Sequence, residues 1–278
     1  MSFADRCGPW AVVAGASEGV GAGFARELAR RGINVVLLAR RQVALDEVAA
    51  AIRGECRVET RAVAVDLARG DAMTSVGGAT ADLEVGFLVY CAGGDPNYEP
   101  FLANPVETAT AMVQRNCVVP LQMCHRFAGP MAERGRGGIV ILGSAAGFAG
   151  ARNMVAYGAS KAFDMVMAEA LWAELHDKGV DVLGLILGET DTPALRRLRR
   201  RLGHVDDPAA PIASAATAEE VVGEAFLHLA DGPTWIVGET LRQAMRFFGS
   251  VSRNEAVQLM IQASAATMQG GAGGPSGR

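Results

Sequence analysis

A serine, a tyrosine and a lysine pose the first chemical question. The segment "SAAGFAGARNMVAYGASKAF" (144–163) sets Ser144 thirteen residues before Tyr157, and Lys161 follows four residues later. On a helix, residues four apart share a face, with Cβ atoms about 5–6 Å apart. A free phenol titrates near pH 10, and an adjacent ammonium favours the phenolate. Tyr157 could thus exchange a proton with an alcohol or carbonyl, with Lys161 tuning it and Ser144 orienting the substrate oxygen.

A second constellation lies near the start. "GASEGVG" spaces Gly15, Gly19 and Gly21 as G-x3-G-x-G, with Ser17, Glu18 and Val20 in the same turn, directly after an apolar run and opening a helical one. Glycines there permit a tight turn and let backbone N–H groups at the positive helix end approach a pyrophosphate. The spacing differs from the general G-x-G-x-x-G fingerprint. Its plain alternative is a turn without a ligand. After the next apolar run stand Ala39, Arg40 and Arg41. An acid here would bond a ribose 2′-hydroxyl, whereas arginine pairs with a 2′-phosphate, so NADP (NADPH) is expected over NAD. Glu18 adds negative charge nearby and weighs against this, and Arg41 could simply begin a solvated helix. Asp66 and Leu67, at the end of the third run, are placed to bracket an adenine.

The elements that must position these groups alternate regularly. Apolar runs "WAVVAG", "NVVLLA", "VETRAVAV", "VGFLVYCAG", "GGIVILGS" and "VDVLGLIL" are separated by helical segments at 19–31, 41–53, 70–80, 103–133 and 154–178. The runs are continuously apolar, as strands covered on both faces are, so the sheet is expected to be parallel with right-handed crossovers. This is a doubly wound α/β fold of about seven strands, the last being "TWIVG" at 234–238. Strand ends in such a sheet open onto the ligand crevice, where Ser144, Tyr157 and Lys161 can converge. Three late helices are expected, opened by Thr192-Pro193 and by capping boxes at Thr217–Glu220 and Ser252–Glu255.

With 278 residues, half of them hydrophobic, the chain can bury one sizeable core. One domain is expected over 1–269, with a substrate-covering segment at about 188–215 and a disordered tail, "GGAGGPSGR", at 270–278. A net charge of only −4 gives no electrostatic hold on nucleic acid or on an anionic membrane. Cys7, Cys56, Cys91, Cys117 and Cys124 are odd in number and irregular in spacing, and no histidine has metal-ligand spacing. Neither a disulfide framework nor a metal is expected, and a reducing cytoplasm fits. "MSFADRCGPW" has no apolar run, and nothing later approaches the roughly 18 apolar residues of a membrane span. "LRRLRRRL" (195–202) reads as a solvated helix, or as a device to greet a carboxylate-bearing substrate or the cofactor phosphate. Cys117 and Cys124 read as packing residues. Met112, Val113, Phe163, Met167 and Leu171 form an apolar stripe that is either core or subunit contact.

Together, "GASEGVG", Asp66-Leu67, "CAGG" (91–94), Asn116, Ser144 and "YGASK" (157–161) resemble the short-chain dehydrogenase/reductase family over roughly residues 10–240. The resemblance implies that Tyr157 is the catalytic acid/base and Ser144 its substrate-orienting partner. It implies that Lys161 also holds the nicotinamide ribose and that Asn116 completes a proton relay through water. Cys91, Ala92, Gly93, Gly188, Thr190 and Thr192 join the cofactor site, and a homodimer or homotetramer is implied. Two departures stand out. The family's usual Asn-Asn-Ala-Gly is Tyr90-Cys91-Ala92-Gly93 here, so a polar brace is lost or replaced, and the usual Pro-Gly is Leu187-Gly188. "GASEGVG", "LLARR", "LGETDTP" and "TAEEVVGEAF" look most similar to bacterial 7β-hydroxysteroid dehydrogenases and relatives using NADP. An oxidoreductase acting on a secondary alcohol or ketone, bulky and apolar, is therefore expected. The alternatives are a catalytically silent NADP-sensing protein, a ketoreductase for fatty-acyl or other small ketones, and a nucleotide-sugar isomerase or dehydratase. About forty residues after the last strand leave little room for the extra substrate domain of the last class.

Overall fold

The computed structural model describes residues 2–95, 97–205, 207 and 209–268. The expected tail at 270–278 lies outside them. Seven parallel strands form one sheet in the order β3-β2-β1-β4-β5-β6-β7. They are β1 (Trp10–Ala14), β2 (Asn34–Ala39), β3 (Thr60–Ala64), β4 (Val85–Tyr90), β5 (Gly137–Ser144), β6 (Val180–Leu187) and β7 (Thr234–Ile236). Helices α1 (Phe3–Cys7), α2 (Gly19–Arg30), α3 (Gln42–Glu55), α4 (Ala72–Thr80), α5 (Val106–Val113) and α6 (Val119–Arg134) accompany the first five strands. They are followed by α7 (Val155–Leu175), α8 (Pro193–Arg201), α9 (Ala218–Leu227), α10 (Glu239–Ser250) and α11 (Arg253–Met268).

Alternation along β1 shows why the strands read as continuous apolar runs. Ala11 and Val13 pack toward Phe24 and Leu28 of α2 and Val221 of α9. Trp10, Val12 and Ala14 face the opposite side, with Val76 of α4, Met123 and Met131 of α6, and Met167 of α7. Both faces are covered, so neither set of side chains can be polar. The order reverses between β1 and β4, the switch point where a doubly wound sheet opens a crevice at its strand ends. There the Cys91 N–H donates to the Ala14 carbonyl at 2.9 Å, joining the turns that follow the two strands.

Several boundaries differ from expectation. The single helix expected over 103–133 is broken into α5, a π-helical turn at Gln114–Val118, and α6. Pro120 carries no N–H to donate to the Asn116 carbonyl four residues back, and the Val119 N–H reaches Gln114 instead. Among the described residues four late helices are present rather than three, α10 being the addition, and α1 was also unexpected. α1 carries a capping box between Ser2 and Asp5. Thr192, Thr217 and Ser252 bond their helix starts as expected. Of the apolar stripe, Met112 and Met167 are core, while Val113 and Phe163 are exposed.

Candidate active site

Gly15 closes β1 with φ +85°, in the left-handed region that favours glycine. A Cβ on Gly21 would lie 2.2 Å from the Gly15 carbonyl oxygen, so the turn folds back on α2 only because Gly21 has none. Glu18 is the N-cap residue of α2, yet its side chain makes no cap bond. Its carboxylate accepts from Arg41 Nη2 at 2.7 Å and pairs with both Nη atoms of Arg197 from α8. Burial would raise the Glu18 carboxyl, but the two guanidinium groups outweigh it and hold the group below its usual range. The first N–H groups of α2 thus keep no side-chain partner, which suits an anion. Arg40 is exposed and forms no ion pair among the described residues. Asp66 accepts from the Ala68 N–H at 3.0 Å and shapes its own turn, and Leu67 packs in the core.

The brace expected of Asn-Asn-Ala-Gly is supplied differently. The Tyr90 hydroxyl donates to the Arg115 carbonyl, and Arg115 Nη2 donates to the Gly94 carbonyl at 2.7 Å. Asn116 Nδ2 donates to the Gly93 carbonyl at 3.2 Å, while its Oδ1 accepts from Arg115 Nε at 3.0 Å. The loop 91–94 is therefore held from the π turn, and Asn116, fully buried, is fixed in one orientation.

Ser144 is the last residue of β5, and its Oγ accepts from the Ala146 N–H at 3.2 Å. Tyr157 stands in the first turn of α7 and lines a cleft with Asp95, Phe101, Met112 and Asn153. Ser160 joins it to Asn116. The Ser160 hydroxyl donates to the Tyr157 carbonyl at 2.8 Å and accepts from Asn116 Nδ2 at 2.9 Å. Lys161 is buried, and its Nζ lies 6.0 Å from the centre of the Tyr157 ring. It donates to the Leu142 carbonyl at 2.7 Å and to Asp164 Oδ2 at 2.8 Å. A Cβ on Gly93 would fall 2.6 Å from Nζ, so glycine there leaves room for the ammonium.

Gly188, Thr190 and Thr192 follow β6. Thr190 is buried and bridges to Ala216. Thr192 Oγ1 accepts from the Leu195 N–H at 3.2 Å, and its side chain abuts Gly19, so α8 begins against the glycine turn. The arginine run of α8 is not a plain solvated face. Arg196 pairs with Asp191 at 2.6 Å, Arg199 with Glu189, and Arg197 with Glu18. Loop acids and the glycine turn thus hold three of these arginines, whereas Arg200 and Arg201 are exposed.

Sequence reasoning missed Arg115, Ser160, Asp164 and the partners of Arg197. Asp164 carried a usable signal: an acid three residues from a lysine on one helical face. Among the described residues no group of three His, Cys, Asp or Glu side chains could hold a metal ion, and no helix is long and apolar enough to cross a membrane.

Over residues 9–203 the chain matches the short chain dehydrogenase family. It is 33% identical over 261 residues to a 7β-hydroxysteroid dehydrogenase of Clostridium sardiniense, covering 92% of this chain and 96% of that protein. A solved 7β-hydroxysteroid dehydrogenase structure superposes with a TM-score of 0.85 at 32% identity, covering 94% of this chain and 99% of the other. A Sphingobium yanoikuyae short-chain dehydrogenase in complex with NADPH gives a TM-score of 0.71 at 28% identity, over 88% and 97% of the two chains. With the glycine turn, the switch-point crevice and the Ser144, Tyr157 and Lys161 positions of a doubly wound sheet, the chain belongs to the short-chain dehydrogenase family and is an NAD(P)-dependent alcohol dehydrogenase or ketoreductase.

Proposed function

We propose that this protein interconverts a bulky, apolar secondary alcohol and its ketone with NADP(H), a hydroxysteroid being the best-supported substrate type. The observation that carries the reading is the arrangement at the crevice. Ser144 ends β5, Tyr157 and Lys161 share a face of α7, and the glycine turn lies at the neighbouring switch point. Relatives that act as 7β-hydroxysteroid dehydrogenases favour the steroid, and the related NADPH complex favours NADP. Arg40 and Arg41 after β2, with no acid between them and the strand, favour it independently.

The residues fit such a cofactor: Gly15 and Gly21 keep the turn tight, and α2 offers unbonded N–H groups. Ser17, Glu18, Gly19 and Val20 complete that turn, and Asp66, Leu67, Cys91, Ala92 and Gly93 would help to hold the cofactor. Gly188, Thr190 and Thr192 would hold its nicotinamide. When bound, the nicotinamide supplies or accepts a hydride. Tyr157 gives its phenolic proton to the substrate oxygen in reduction and takes it back in oxidation. Ser144 Oγ orients that oxygen. Lys161 holds positive charge beside the phenol, and Asn116, locked by Arg115 and Gly93, anchors the relay.

Residues 188–215 act as the substrate cover of a single domain. Exposed Val106, Val113, Phe163 and Val166 on α5 and α7 supply an apolar face for a homodimer or homotetramer. The free cysteines suit a reducing cytoplasm.

Tyr157→Phe tests the reading. It keeps the ring and removes one proton, so NADPH affinity measured by fluorescence should hold while single-turnover rate falls roughly 10²–10⁴-fold. Lys161→Ala should lower turnover and affinity together. Native turnover in Tyr157→Phe would make a nucleotide-sensing role, or another acid, the better account.

A further inference from the structure

Asp164 is a buried carboxylate that the chemistry above leaves unused. It is 1% exposed on the inner face of α7, three residues after Lys161 and seven after Tyr157, and 3.6-residue periodicity returns it to their face. Met167 and Ala168, next on that face, are core residues. Asp164 Oδ2 accepts from Lys161, whereas Oδ1 has no partner among the described residues. Stability is a poor reason for such a group. Desolvating two charges offsets their attraction, and apolar residues of similar volume often serve as well or better.

We infer that Asp164 is a positioning residue for the reaction: it is the counter-ion that keeps the Lys161 ammonium charged and seated against Gly93, below Tyr157. The inference rests on the roles proposed above for Tyr157 and Lys161. An ammonium has three donors. The Leu142 carbonyl and Asp164 take two, which leaves the third without a partner among the described residues. Burial alone would push the ammonium toward neutrality, but the Asp164 carboxylate reverses this and holds Lys161 above the usual lysine range. Burial in turn raises the Asp164 carboxyl against the pull of Lys161.

The other groups facing the pair do not take over this role. Tyr157 on α7 also favours the ammonium, but only when its phenol carries negative charge and to a smaller degree than Asp164, and Arg115 on the π turn carries a like charge that opposes it. Cys117 of that turn, Cys124 of α6, and Tyr90 and Cys91 at the end of β4 are all driven toward their neutral forms by burial. Asp164 is the one carboxylate set against Lys161 among the described residues.

The chain has only two lysines, Lys161 and Lys178, so ¹³Cε-lysine NMR gives two signals, which Lys178→Arg assigns. In the unmutated protein the Lys161 signal should stay at its ammonium position to the alkaline end of the folded range. In Asp164→Asn it should titrate lower by roughly one unit or more, and the alkaline limb of kcat/KM for ketone reduction should move down with it. An unmoved Lys161 signal in folded Asp164→Asn, or a moved signal with an unmoved kinetic profile, overturns the inference. If that variant does not fold, the unmutated protein decides: a Lys161 signal turning neutral within or below the ordinary lysine range overturns it too. Native turnover in Tyr157→Phe overturns the underlying reading, whereas an inactive Tyr157→Phe beside an unmoved Lys161 signal overturns only the role of Asp164.

Discussion

Arg41 cannot give its full donor set to both Glu18 and a cofactor phosphate, and this sets unequal expectations for the two arginines after β2. Arg40 has no competing partner among the described residues, so a charge-assisted bond from it to a 2′-phosphate contributes about 1.5–3 kcal/mol. At about 1.4 kcal/mol per tenfold, Arg40→Ala should weaken NADPH binding roughly 10- to 150-fold. Arg41 must first leave Glu18, 2.7 Å away, and an exposed pair of this kind is worth about 0–1 kcal/mol. The difference leaves about 0.5–3 kcal/mol, so Arg41→Ala should show the same loss at most, and only about twofold at the low end. Glu18→Gln removes the competitor and a negative charge facing the phosphate, and should tighten NADPH roughly two- to fivefold. NADH, lacking the phosphate, serves as the control and should change little in all three variants. Fluorescence titration of each with NADPH and NADH at low and moderate salt reads these differences directly. Equal loss of both cofactors in Arg40→Ala, or weaker NADPH binding in Glu18→Gln with NADH unchanged, would refute the reasoning.

Two further outcomes follow from burial and from the hold on α8. Burial pushes the Cys7 thiol up to about 11 and Cys124 to about 12, so almost no thiolate is present at neutral pH. Iodoacetamide at pH 7.5 should therefore leave both unmodified in the folded protein, and mass spectrometry finding either labelled as fast as Cys56 would contradict the burial of these thiols. Trypsin should cut the free protein after exposed, unpaired Arg200 and Arg201 sooner than after the paired Arg196, Arg197 and Arg199. NADPH with a ketone substrate should slow those cuts if α8 belongs to a closing cover, and identical digestion with and without ligands would remove that role.

Much of the architecture is local and so was legible in the order of residues. Continuous apolar runs such as "NVVLLA" and "VGFLVY", short and rich in β-branched residues, read as strands buried on both faces, and their alternation with helical segments points to a parallel sheet. The turn "GASEGVG" announces itself because its backbone needs glycine whatever surrounds it. Tyr157 and Lys161 lie four residues apart, so their common face follows from helical pitch alone. Thr192, Thr217 and Ser252 act on N–H groups two or three residues away, and those helix starts held.

The features that depend on packing between distant segments were not legible. Proline at position 120 was visible, but its effect on the helix emerged only as the π turn that holds Asn116. The arginines of α8 read as solvent-facing because a charge run by itself does not name its partners, yet Arg197 meets Glu18 across 179 residues once α8 is laid against the glycine turn. Lys161 and Asp164 were in plain sight as an i, i+3 pair. Whether that face of α7 points to water or into the core is decided by the sheet behind it, because burial is what turns a weak surface ion pair into a charge held fast beneath Tyr157. By itself the sequence determined the fold class, the glycine turn and the shared helix face of Tyr157 and Lys161, since each depends on short-range sterics and periodicity. Tertiary structure alone decided which charges are paired, which are buried and which remain free for a ligand, since electrostatic partners are chosen by proximity in space and weighted by the solvent that packing excludes.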